Sequence, residues 1–152
     1  MQHLAAELLQ TVGSFAAQLR TQAEPRLTAR PAPGKWSAKE IVGHLVDSAQ
    51  NNIQRFVRAQ YEPAMAHIVY RQDDWVRLQH YQTYPSAELI RLWVLLNRHL
   101  GHIWRHMDAA AGALPYTPGP AGAPEILTLE ALAVDYLRHL RHHLAAIEQQ
   151  LR

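Results

Sequence analysis

The chain of 152 residues carries a net charge of +2, from 15 Lys+Arg against 13 Asp+Glu, and its 48% apolar content suffices for one domain, 1–152, with one sizeable core. It has no cysteine, which excludes disulfides, thiolate metal sites and a cysteine nucleophile and leaves nitrogen and oxygen as the ligands for any metal. Its arginines are scattered rather than gathered into a stripe, which argues against a nucleic-acid partner, and no segment approaches the ~20 consecutive apolar residues that cross a bilayer.

The opening stretch, MQHLAAELLQTVGSFAAQLR, has no basic leader and contains Glu7, so it reads as mature sequence of a soluble, cytoplasmic protein with no membrane partner. Leu4, Leu8, Val12, Phe15 and Leu19 recur at helical spacing and predict a first helix over about residues 2 to 22. The prolines and glycine between Pro25 and Gly34 then predict a connection without regular structure. Ser37 followed by Glu40 is a capping box, and Ile41, Leu45, Ala49, Ile53 and Phe56 carry a second helix from that point, fading near Tyr61.

The following stretch of about 25 residues, up to Pro85, is far longer than a connection between antiparallel neighbours. It predicts a crossover between parallel helices two and three, with a short extra helix within residues 72 to 82. Ser86 is the expected cap of helix three, whose apolar stripe runs through Leu89, Leu92, Trp93, Leu96, Leu100, Ile103 and Met107. The next segment, AAAGALPYTPGPAGAPEIL, predicts an exposed, mobile loop. Helix four follows from Leu129 to Leu151, capped by Thr128. With no alternating strand pattern and no internal repeat, the fold class is all-α: a four-helix bundle with a long crossover between helices two and three.

Ten histidines are the compositional oddity, and three fall within five positions near the end of helix four. The apolar stripe there passes through Leu129, Ala133, Leu140, Leu144, Ile147 and Leu151. At roughly 100° per residue, His143 lies roughly 60° from the centre of that stripe and His139 roughly 100° on the same side, whereas His142 falls near the opposite face. Residues four apart have Cβ atoms ~5–6 Å from each other, so His139 and His143 can converge on one ion. In a histidine-rich chain the same spacing also arises by chance. His44 is the obvious third donor: with Glu40, Asp47, Ser48 and Asn51 it forms a polar stripe beside the apolar face of helix two. That stripe is either a solvated face or a buried one that requires partners or a metal.

In order, KWSAKEIVGHLVDSAQNNIQRF, YRQDDWV, LLNRHL and HLRHHLAAIE resemble the DinB-like superfamily, in particular its YfiT-like metal-dependent hydrolases, over about residues 35 to 150. The resemblance implies a four-helix bundle in which one histidine of helix two and a His-x-x-x-His pair of helix four bind zinc or nickel. The matching positions are His44, His139 and His143, the same helix-four pair that the angular reading selects. It further implies a divalent-metal hydrolase acting on a small-molecule substrate, or a thiol S-transferase using a low-molecular-weight thiol such as bacillithiol or mycothiol, or a metal-binding stress protein without turnover. Arg98 matches a basic helix-three position suited to an anionic substrate, and relatives often form homodimers.

Three imidazoles and an open position are a catalytic layout, in which Asp47 is a fourth ligand, an orienting group or a base. Asp47 and Arg98 are therefore the candidate catalytic residues. His99, His102 and His106 read as solvated, Trp36, Trp75 and Trp93 as packing residues, and Tyr70 with Trp75 as the mouth of the site.

Overall fold

The computed structural model describes residues 1–62, 70–116 and 127–152. Four long helices dominate it: α1 (Gln2–Arg20), α3 (Ala38–Arg58), α5 (Ser86–His106) and α7 (Leu129–Gln150). Short helices α2 (Glu24–Thr28), α4 (Gln72–Leu78) and α6 (Ala109–Gly112) lie between them, with a 3₁₀ turn at Tyr81–Thr83 and a two-residue antiparallel ladder of β1 (Pro115–Tyr116) with β2 (Leu127–Thr128). Among the described residues, no helix is long and apolar enough to cross a membrane.

Both α5 and α7 pack against α1 and α3. Residue pairs give the directions. Phe56 meets Trp104 edge-on at 5.2 Å near the ends of α3 and α5, and Lys39 and Val42 adjoin Ser86, Leu89 and Ile90 near their starts, so these two helices run parallel, as the long crossover requires. Leu9 lies beside Gly101, and Phe15 meets Trp93 at 6.5 Å, which sets α1 antiparallel to α5. Gln150 near the end of α7 donates to the carbonyl of Trp36 just before α3, at 3.2 Å, so these two are antiparallel as well.

The predicted caps of α3 and α7 are present. Ser37 Oγ accepts from the Glu40 amide while Glu40 accepts from the Ser37 amide, and Thr128 Oγ1 accepts from the Ala131 amide. The start of α5 differs from expectation. Pro85 occupies the cap position, and Ser86, the first helical residue, donates instead to Glu24 at 2.9 Å.

That bond explains a second departure, the short α2 inside the predicted irregular connection. Pro25 sits in the first turn, where a missing N–H costs nothing, and Glu24 also pairs with the buried ammonium of Lys39 at 2.7 Å. Thus α2 ties the starts of α3 and α5 together. The first helix ends at Arg20, two residues before the predicted end.

The core face of α5 is rotated from the predicted stripe: Leu89, Ile90, Trp93, Asn97, Leu100, Gly101 and Trp104 are buried, while Leu92, Leu96 and Ile103 only flank the core. Asn97 is tolerated inside because it accepts from Tyr136 Oη at 2.7 Å and donates to the Trp93 carbonyl at 2.8 Å. The predicted 72–82 helix is divided at His80, whose left-handed backbone (φ 53°) separates α4 from the 3₁₀ turn. In the segment expected to be a mobile loop, α6 and the β1–β2 ladder are ordered structure, and residues 117–126 lie outside the described residues. So do residues 63–69 of the crossover.

Candidate metal centre

From Ala38 to Ala49 every residue of α3 is buried, because α5, α7 and the α4–turn segment cover it on different sides. The solvated reading of its polar stripe therefore does not hold. His44 is 1% exposed and Asp47 0%. The crossover achieves this cover through Gly43: the Tyr81 ring lies so close that a methyl group on Gly43 would overlap it.

The fold brings His44, His139 and His143 together. The Nε2 atoms of His44 and His139 are 3.2 Å apart, those of His143 and His139 3.1 Å, and one ligating nitrogen from each residue lies within 4.8 Å of the others. Burial holds the imidazoles neutral: His44 falls to about 3 and His143 to about 4, each also disfavoured by the neighbouring imidazoles, and burial lowers His139 too. A neutral imidazole has one N–H and one lone pair, so three Nε2 atoms facing one point cannot all be satisfied by each other. A cation satisfies them. With metal–nitrogen bonds of ~2.0–2.1 Å, a tetrahedral shell sets neighbouring nitrogens about 3.3–3.4 Å apart, close to the separations seen. The residues fit a divalent ion.

His142 is exposed, as are His99, His102 and His106. Asp47 stands outside the ligand group. Its Oδ1 accepts from Tyr81 Oη at 2.5 Å and Gln79 Nε2 at 2.7 Å, and among the described residues no hydrogen bond joins it to a histidine. Its Oδ2 and His44 Nδ1 are buried with no hydrogen-bond partner among the described residues. Burial raises the Asp47 carboxyl to about 6, against the opposing pull of Tyr81 and Gln79.

Arg98 is not brought to this site. It is exposed on α5 and lines a separate cavity of about 320 Å³ with Arg20 and residues of α1, none of them histidine. Trp93 is a core residue at 0% exposure, and Trp36 packs against the core with its ring 5.1 Å from that of His44, tilted by 36°. Tyr70 stands 6.5 Å from His44 and 5.1 Å from Trp75.

Sequence reading missed Tyr81, Gln79 and Arg55. The first two come from a separate element, with no periodic signal to point at Asp47. Arg55 was within reach, since the stripe 44, 48, 51 continues to it. It is half-buried, and its charge opposes the burial-driven rise of the Tyr70 and Tyr116 hydroxyls and adds to the burial that lowers His139.

Residues 5–147 match the model of the DinB superfamily. The Bacillus subtilis (strain 168) protein named "Putative metal-dependent hydrolase YfiT" is 31% identical over 117 residues, covering 76% of this chain and 64% of that protein's length. A Halalkalibacterium halodurans protein, "Putative metal-dependent hydrolase BH0277", is 26% identical over 84% of this chain and 72% of its own. The solved structure of YfiT from Bacillus subtilis, described as a four-helix bundle of unusual topology, superposes with a TM-score of 0.85 at 23% identity, over 98% of this chain and 85% of that one.

Proposed function

The chain belongs to the DinB superfamily, and we propose that it is a metal-dependent hydrolase of a small-molecule substrate in which His44, His139 and His143 hold a zinc or nickel ion. The observation that carries this reading is the convergence of three neutral imidazole nitrogens, 3.1 and 3.2 Å apart, in the interior. Such an ion would supply Lewis acidity, polarising a substrate oxygen and lowering the pKa of a bound water toward about 7.

The protein's own residues then have distinct tasks. Three protein ligands, rather than four, leave coordination space for substrate. Asp47 is the proton acceptor: Tyr81 and Gln79 fix one oxygen, the other has no partner among the described residues, and a carboxyl raised to about 6 is ionised yet appreciably basic at neutral pH. Trp36 and Tyr70 flank the His44 ring and restrict access of bulk water.

The test is turnover by metal-loaded protein with a panel of esters and amides, and separately with low-molecular-weight thiols plus an electrophile. Hydrolysis that disappears in His139→Ala supports the proposal. Thiol conjugation without hydrolysis would replace it with an S-transferase, and metal binding without either reaction would leave a binding protein.

A further inference from the structure

Trp36 and Tyr81 line a second cavity of about 370 Å³, large enough for a small organic molecule. None of the three histidines lines it, yet two of its walls belong to the metal centre. One is Trp36, whose ring neighbours His44 at 5.1 Å, and the other is Tyr81, whose hydroxyl holds Asp47 at 2.5 Å.

Its frame is tightly tied. Arg30 grips Glu40 through two bonds of 2.9 and 2.5 Å, and Glu40 is itself locked in the capping box. Gln82 accepts from Ser37 at 2.8 Å and donates to the Thr28 carbonyl at 2.7 Å, fastening the 3₁₀ turn to α3 and α2. His80, also in the wall, keeps a left-handed backbone that is uncommon outside glycine and asparagine and persists where surroundings enforce it.

The charges of the wall are biased. Arg30, Lys35 and Arg77 face Glu40 and Asp73. Both oxygens of Glu40 already accept hydrogen bonds, from Arg30 and from the Ser37 amide, and its charge is paired with that of Arg30. Arg77 is shared with Asp74 at 3.0 Å, and among the described residues neither the Lys35 ammonium nor the Asp73 carboxylate has an ion-pair partner, which leaves the basic side chains of the wall ahead by three to two.

We infer that this cavity binds the part of the substrate remote from the bond that is broken, and that this part is a planar apolar body bearing a carboxylate, the body against Trp36 and Tyr81 and the anion toward Lys35 and Arg77. The word substrate rests on the hydrolase reading of the triad. The binding itself does not need the metal.

Benzoate, benzyl alcohol and benzylamine, titrated calorimetrically into wild type and into His139→Ala, test this. Benzoate binds both proteins with Kd values within about threefold of each other, and at least about tenfold more tightly than the neutral and cationic probes. Lys35→Glu combined with Arg77→Glu weakens benzoate about tenfold or more and leaves metal content unchanged. Equal binding of the three probes, binding of none, or loss of benzoate binding with the metal in His139→Ala overturns the inference; the last outcome would place the carboxylate on the metal. Wild type that takes up no metal when supplied with it, yet binds benzoate, defeats the triad reading alone, and metal-replete protein that ignores benzoate defeats the cavity alone.

Discussion

Helix α7 turns three polar side chains inward, Tyr136 and, one and two turns further on, His139 and His143, and the tyrosine and the histidine pair find partners in different ways. Tyr136 finds Asn97 on α5 at 2.7 Å, and Asn97 finds the Trp93 carbonyl at 2.8 Å, so that pair closes within the chain. His139 meets the ring nitrogens of His44 and His143, and among the described residues His44 Nδ1 and Asp47 Oδ2 stay buried without hydrogen-bond partners. A buried polar group without a partner costs about 1–3 kcal/mol. The first cluster is part of what holds the bundle together; the second leaves buried polar atoms unpaired among the described residues at a cost in stability, which the proposed ion would offset.

The largest effect expected from breaking this contrast lies on the closed side. Asn97→Leu strands the Tyr136 hydroxyl and destabilises the protein by as much as about 3 kcal/mol in urea unfolding, and adding Tyr136→Phe recovers much of the loss, because removing both partners leaves no orphan. Additive losses in the double variant would show that the pair is not the self-contained unit described.

On the open side, Asp47 gives a pH signature. Its pKa is raised from the ordinary carboxylate value to about 6, so between about pH 4 and 6 the folded state keeps a proton that the unfolded chain has released. Stability attributable to this group is therefore present at the acid end and is lost as pH rises through 6. Asp47→Asn cannot ionise and lacks that fall. The stability of the metal-free variant relative to wild type should rise by about 2 kcal/mol from pH 4 to 7, while the opposite titration of His44 and His143, common to both proteins, largely cancels. Parallel pH profiles would remove Asp47 from the ionisable part of the site.

The smallest effect has an inverted sign. His44→Leu deletes a buried polar side chain that the chain alone does not satisfy, and it should stabilise metal-free protein by about 1 kcal/mol while abolishing the added stability that saturating metal gives wild type. Destabilisation of the metal-free protein to the extent seen for Asn97→Leu would mean that the two clusters are alike.

Much of this contrast was legible before any coordinates. The capping box at Ser37 and Glu40, the inward pair His139 and His143 and the outward His142 follow from local chemistry and helical angle, which neighbouring elements did not alter. What was hidden depends on contacts far apart in the chain. Asn97 is buried because Tyr136 meets it 39 positions later, and this rotates the core face of α5 away from its most apolar stripe. Trp36 becomes a wall of the site because α7 and α3 close on it, and α2 forms because Glu24 serves both Lys39 and Ser86. Arg98, chosen from a family position rather than from its own helix face, faces solvent on another side of α5.

The claim that the open cluster is a metal centre is tested most directly by elemental analysis of purified wild type, His44→Ala, His139→Ala and His142→Ala. The structure predicts one divalent ion per chain in wild type, its loss from the first two variants and its retention in His142→Ala. Equal metal loss from all three variants, or wild-type protein that takes up no stoichiometric metal, would contradict it.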